Sequence, residues 1–330
     1  MTGSTELPDD WQPALTPKFV VAGAGPVGRA VAMRLRANNP HADVTMVGLN
    51  DPAPIRGVKQ VKADINDGHS LVELCQGAVC LISALNPPDF DQWPEQWPPL
   101  LEATLKAAEA TGATLAMVGN LYPYGPSSEP ITAQTPEAPV SQHGQVRAAN
   151  WAKALDWHQA GRVKVFEMRA ADFMQTQPSS VIGMALRRVP HGRTGYYLGD
   201  PTQLHSWTFI PDLAEALVAA VDQPEAYGRV WLAPNAPPIS VVDAAKDVAA
   251  AGGWVLPPIR PVTKAVLSTV KVLSKEARQA YQTDYQRINP FVTDTSETVA
   301  AFGVEATPWA EQAAVMAAQL GANLPLPAGH

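Results

Sequence analysis

Short apolar runs alternate with segments whose apolar positions recur every three or four residues, and this rhythm holds over the first half of the chain. Runs without a polar face predict strands buried on both sides, and the periodic segments between them predict crossover helices. Strands are expected at 19–22, 44–49, 58–62, 78–83, 114–118 and 163–169. Helices are expected at 27–37, where Val27, Val31 and Leu35 share a face, and at 70–76, 100–111 and 146–159. A loop rich in proline and tryptophan, 86–99, precedes the third of these. Such alternation is the signature of a parallel sheet with helices on its faces.

Beyond about residue 175 the rhythm changes. A basic turn at 187–193 is followed by a strand at 206–210 that enters a helix at Asp212, whose carboxylate suits an N-cap. A strand is expected at 227–232, then mainly helix with proline-marked joints, including 241–251, 262–273 and 309–320. The pattern predicts an α/β fold: a doubly wound parallel sheet over 18–175, to which 206–233 return. A smaller, mostly helical lobe follows from 176–205 and 234–330, with 1–17 as an N-terminal extension.

Within this frame the first strand runs into Gly23-Ala-Gly25-Pro26-Val27-Gly28 and then a helix. Glycine at these spacings permits a tight strand-to-helix turn and lets the backbone approach a pyrophosphate, which the helix N-terminus favours. The placement after a strand and at the head of a βαβ series makes the motif a dinucleotide signature. The second strand ends Gly48-Leu49-Asn50, without the carboxylate that would hold a ribose 2′-hydroxyl. Either NAD or NADP is therefore expected, with the missing carboxylate tilting the choice to NADP. Arg29 and Arg56 are the cations near enough in sequence to serve a 2′-phosphate.

Bulk properties narrow the classes. The 330 residues carry a formal charge of −7, which speaks against nucleic-acid and anionic-membrane partners. Cys75 and Cys80, beside the apolar run 77–82, read as buried thiols rather than a disulfide framework. No apolar stretch reaches membrane-spanning length, and 1–17 lacks the basic-then-apolar layout of a signal peptide, so a cytoplasmic location is expected. Seven histidines show no paired-ligand spacing, so no metal site is expected.

Taken together, the glycine turn, Asp64-Ile65, Asn120-Leu-Tyr122-Pro-Tyr-Gly125, Arg169-Ala-Ala-Asp-Phe173 and Ser206-Trp-Thr-Phe-Ile-Pro-Asp212 carry a family likeness over about 18–235. On these motifs the chain resembles the extended short-chain dehydrogenases/reductases, the NAD-dependent epimerase/dehydratase group, whose fold is Rossmann-type. The resemblance implies cofactor contacts at Gly23, Gly25, Pro26, Val27, Gly28, Leu49, Asn50, Asp64, Ile65, Ser83, Ala84 and Ala171. It also implies an acid/base set of serine or threonine plus a Tyr-x-x-x-Lys pair. Here those positions fall on Asn120, Tyr122, His143 and Arg147, with Arg147 set to hold the ribose and His143 in a loop before the helix. Substrate contacts are expected from Asn86, Trp93, Phe173, His205 and Trp207.

Three readings follow. The site works with substitute groups, as an NAD(P)-dependent oxidoreductase or epimerase on a small carbonyl or hydroxyl compound. Alternatively the protein is a catalytically inactive NAD(P)-binding sensor or interaction protein. The third keeps the pocket for another reaction, such as isomerisation. The first is carried forward, with a small molecule as substrate and a homodimer as the assembly allowed for.

Overall fold

The computed structural model describes residues 16–50, 53–177, 180–262, 266, 268–269, 278 and 281–322. Residues 1–15 of the N-terminal extension and most of the helix expected at 262–273 lie outside them.

The apolar runs form one seven-stranded parallel sheet. Its strands are β1 (Lys18–Ala22), β2 (Asp43–Gly48), β3 (Val58–Lys62), β4 (Ala78–Ser83), β5 (Thr114–Asn120), β6 (Val165–Ala170) and β10 (Val230–Leu232). They lie in the order β10-β6-β5-β4-β1-β2-β3, so the winding reverses between β1 and β4 and opens a crevice at the strands' C-terminal ends. Two cores sandwich the sheet. On one face Val21, Val31, Leu35, Phe166, Leu213 and Leu217 pack under α1 (Pro26–Asn38) and α6 (Ile210–Ala220). On the other, Val20, Leu71, Leu105, Leu115 and Trp151 pack under α2 (Gly68–Cys75), α3 (Trp93–Thr111) and α4 (Gln142–Gln159).

The later segments build a third core, including Ile182, Tyr197, Val248 and Met316. It joins α5 (Val181–Leu186), β8 (Gly195–Leu198), α7 (Val241–Gly252) and α10 (Trp309–Ala322), with β8 paired to β11 (Ile259–Val262). Just beyond β6 in the chain, a two-residue pairing of β7 (Asp172–Phe173) with β9 (Trp207–Thr208) forms a separate small sheet. The short helices α8 (Tyr285–Ile288) and α9 (Ser296–Phe302) complete the chain.

Four local expectations are corrected. The third helix starts at Trp93, inside the segment read as loop, because Pro94 falls in the first turn, where its missing N–H costs nothing. The fourth starts at Gln142, capped by Ser141, whose Oγ accepts from Gly144 N at 3.1 Å. His143 therefore sits in the first helical turn and Arg147 one turn further, not in a loop and at a helix start. Asp212 lies inside α6, behind Phe209 as N-cap, and accepts instead from Thr307 N and Oγ1. Finally, residue 262 ends a strand rather than starting a helix.

Candidate functional site

The glycine turn is built around close approaches. Gly23 has φ of +112°, and a Cβ there would lie 2.4 Å from Ala84 O; one on Gly28 would lie 1.9 Å from Gly23 O. Gly25 differs: its backbone is extended and a Cβ on it would meet nothing within 4 Å. It is the N-cap of α1, with no side-chain cap and no acidic residue in the first turn. A helix end without a side-chain cap, next to open space at Gly25, is a setting that favours an anion.

Around it, Pro26 is exposed and Val27 half-buried, while Ser83 is buried and Ala84 N is tied to Ala22 O at 2.8 Å. Leu49 and Asn50 are exposed at the end of β2. Arg29 donates to Ala53 O at 2.6 Å, and Arg56 is exposed. Asp64 is exposed; its Oδ1 accepts from Asn66 N and Nδ2, while Ile65 is core.

At the end of β5, Asn120 Oδ1 accepts from Tyr122 N at 3.1 Å and so shapes the turn that presents the tyrosine. Tyr122 is half-buried, and Tyr285 Oη donates to its carbonyl at 3.4 Å. Burial and then the Asp172 carboxylate push the Tyr122 hydroxyl well above its usual range, against the weaker pull of Arg287 and Arg147. His143 is fully buried, with ring centroids of Phe90 at 5.3 Å, Trp93 at 5.4 Å and Tyr122 at 6.4 Å. Neither ring nitrogen has a hydrogen-bond partner among the described residues. Burial lowers its pKa, with Asp91 opposing, and keeps it neutral at pH 7.

Arg147 is held in an aromatic slot, its Cζ 4.1 Å from the Trp97 ring and 5.1 Å from Trp93. It donates to Asn86 Oδ1 at 3.2 Å and Val118 O at 3.4 Å, while Nε is buried without a partner. Burial pulls the guanidinium down to about 10, opposed by Glu167 and Tyr122. Two of its nitrogens thus point to Asn86 and β5.

Two residues expected at the substrate are buried and hydrogen-bonded to backbone. Trp93 is fully buried, stacked on Phe90 at 4.4 Å and donating to Pro87 O. Trp207 is buried and donates to Ile239 O. Ala171 N is fixed by Thr208 Oγ1 at 2.9 Å, Phe173 is half-buried, and His205 is 3% exposed.

The structure brings Asn86, Trp93, Tyr122, His143 and Arg147 into one cluster, and sets Phe173, His205 and Trp207 on the β7–β9 edge beside it. Asp172, Tyr285 and Arg287 join the second group, and sequence reasoning misses all three. Asp172 stands within the motif 169–173, but nothing in the polar segment 283–288 marks it as part of the site. A cavity of about 340 Å³ opens elsewhere, between Thr132, Gln134, Leu232, Asp294 and Glu297; its lining shares no residue with either group, so it is separate from the crevice. Among the described residues no three His, Cys, Asp or Glu side chains gather as metal ligands. Among them also, no helix is long and apolar enough to cross a membrane.

Residues 19–232 match the model of the NAD dependent epimerase/dehydratase family. The chain belongs to that family. None of the curated proteins matches it. Among solved structures, the UDP-glucuronic acid 4-epimerase of Bacillus cereus in complex with NAD superposes with a TM-score of 0.74 at 14% identity, over 92% of this chain and 99% of that one. The dTDP-glucose 4,6-dehydratase of Bacillus anthracis in complex with NAD gives 0.76 at 14% identity, over 93% and 97%. The UDP-glucose 4-epimerase of Thermotoga maritima with UDP-glucose gives 0.75 at 14% identity, over 93% and 100%. At these identities the likeness is one of fold.

Proposed function

We propose that this family member binds a nicotinamide dinucleotide across Gly23–Gly28 and acts as an atypical oxidoreductase or epimerase on a small carbonyl or hydroxyl compound. The observation that carries the reading is the open space at Gly25 on an uncapped helix end, flanked by glycines whose Cβ atoms would collide. A pyrophosphate fits there, and the NAD of the similarly folded epimerase and dehydratase supports the choice of cofactor. The exposed Leu49-Asn50 end of β2, without a carboxylate, accommodates NADP as well.

The bound cofactor would supply or accept a hydride. The chain's own groups divide the remaining work. Asn120 fixes the turn, and Tyr122, kept protonated by burial and Asp172, donates a hydrogen bond to the substrate oxygen. His143 stays neutral and shapes the wall with Phe90 and Trp93. A panel of aldehydes, ketones and diketones assayed with NADH and NADPH tests this. Turnover is expected for a member of the panel, falling about 10²-fold in Tyr122→Phe. Unchanged turnover in that variant removes Tyr122 from the chemistry.

The burial of His143 and Arg147 among Phe90, Trp93 and Trp97 favours one second reading, a cofactor-binding sensor without turnover. Cofactor binding with no conversion of any panel member distinguishes it.

A further inference from the structure

The cavity set apart from the crevice is built where two distant segments of the chain run together. Ile131 N donates to Val292 O and Asp294 N to Ile131 O, each at 2.8 Å, so Ile131 is bridged to Thr293. Thr132 and Gln134 on one segment, Asp294, Glu297 and Thr298 on the other, and Leu232 at the end of β10 line a space of about 340 Å³ beside that bridge. Thr132 N donates to Thr135 Oγ1 at 2.9 Å and closes the first segment into a turn. Gln134 Nε2 donates to Glu297 Oε2 at 2.5 Å and ties that turn to α9, while Arg229 takes the other oxygen of Glu297. The walls are therefore held by the protein's own bonds.

What those bonds leave over points to an occupant. Thr298 is 1% exposed and lines the space, yet its hydroxyl makes no hydrogen bond among the described residues. Buried hydroxyls are rarely left without a partner, so the partner is one that the cavity admits. Charge gives its sign. Asp294 and Glu297 are the charged side chains of the lining. Hydrogen bonds from Ser296 to Asp294, and from Gln134 and then Arg229 to Glu297, hold both carboxyls below the usual range against burial, so both are ionised at pH 7. Arg229 compensates Glu297, whereas no cation pairs with Asp294 among the described residues. An anion is thus repelled, and a neutral polyol leaves the charge of Asp294 as it was. A bare metal ion needs several ligands close around it, and among the described residues no third His, Cys, Asp or Glu joins these two. An ammonium group needs one carboxylate and neutral acceptors, which Asp294 and the hydroxyls of Thr132 and Thr298 supply.

We propose that this cavity binds a small hydroxylated primary amine, its ammonium on Asp294, its hydroxyls on Thr298, Thr132 and Gln134, and its carbon chain against Leu232. At about 340 Å³ the space lies at the lower end of the range of ligand clefts, which suits a compact molecule rather than a nucleotide. The site shares no lining with the crevice, and it stands whether or not a nicotinamide binds at Gly25.

Calorimetric titration of the full chain at pH 7 with three matched probes tests this: aminodeoxysorbitol, the neutral sorbitol and the anionic gluconate. The amine should bind saturably and about tenfold or more tighter than sorbitol, and gluconate should not bind. Asp294→Asn keeps the oxygen that accepts from Ser296 N and should weaken the amine about tenfold. Thr298→Val, which exchanges the hydroxyl for a methyl, should weaken it as well, and Thr298→Ser should restore it. If Thr298→Val fails to fold, the exposed Asp294→Asn still decides. Absence of amine binding, equal binding of sorbitol, or an affinity untouched by Asp294→Asn overturns the proposal. Displacement of the amine by equimolar calcium or magnesium assigns the cavity to a metal ion and overturns it likewise.

Discussion

His143 shows how much a position depends on what surrounds it. A histidine expected near a catalytic tyrosine's position invites an acid/base role, yet here the ring lies in an aromatic wall with both nitrogens unpaired among the described residues. Its lowered pKa has a consequence for stability. In the unfolded chain an imidazole takes up a proton near pH 6.5, whereas the folded site resists it, so protonation favours unfolding. The contribution is fully present above about pH 6.5 and declines as pH falls below it toward the lower folded value. Urea midpoints measured from pH 7.5 to 5.5 should fall for the unaltered protein and fall less for His143→Phe; parallel slopes would refute the assignment. Arg147 is the complementary case, a cation retained in the slot between Trp93 and Trp97 and bonded to Asn86.

The elements were legible where their apolar pattern was strong and opaque where punctuation residues misled. Strands β3 and β4 are readable to the residue, because both are set off by turns and one is almost wholly apolar. The start of α3 is not, since Trp-Pro, Gln-Trp-Pro-Pro reads as breakers, although Pro94 suits a first turn. The strand-helix alternation and the glycine turn follow from local signals. The second group at the crevice does not, because residues 283–288 reach it through tertiary contacts that no local motif announces. Trp93, the residue that begins α3, carries much of this junction: it touches Phe90, Trp97, Tyr122, His143 and Arg147. Trp93→Ala should cost about 3–5 kcal/mol of unfolding free energy, measured by denaturant titration. A loss under about 1 kcal/mol, the scale of a surface substitution, would mean that this cluster is not a packed core.

For the molecule as a whole, a sheet with its winding reversed between β1 and β4 places the glycine turn, the β5 end and the β7–β9 edge along one crevice. His143 and Arg147, expected at the positions of the family's tyrosine and lysine, are both packed into the protein, and the proposed reaction leaves the substrate oxygen to Tyr122. That reaction depends on a dinucleotide lying on Gly25. Gly25→Val offers a clean test, since its extended backbone and open surroundings admit the side chain without a clash in the free protein. Fluorescence titration with NADH and NADPH should give saturable binding to the unaltered protein, at least tenfold weaker in Gly25→Val, with little change in the unfolding midpoint. Binding of neither cofactor, or equal binding by both proteins, would contradict the account.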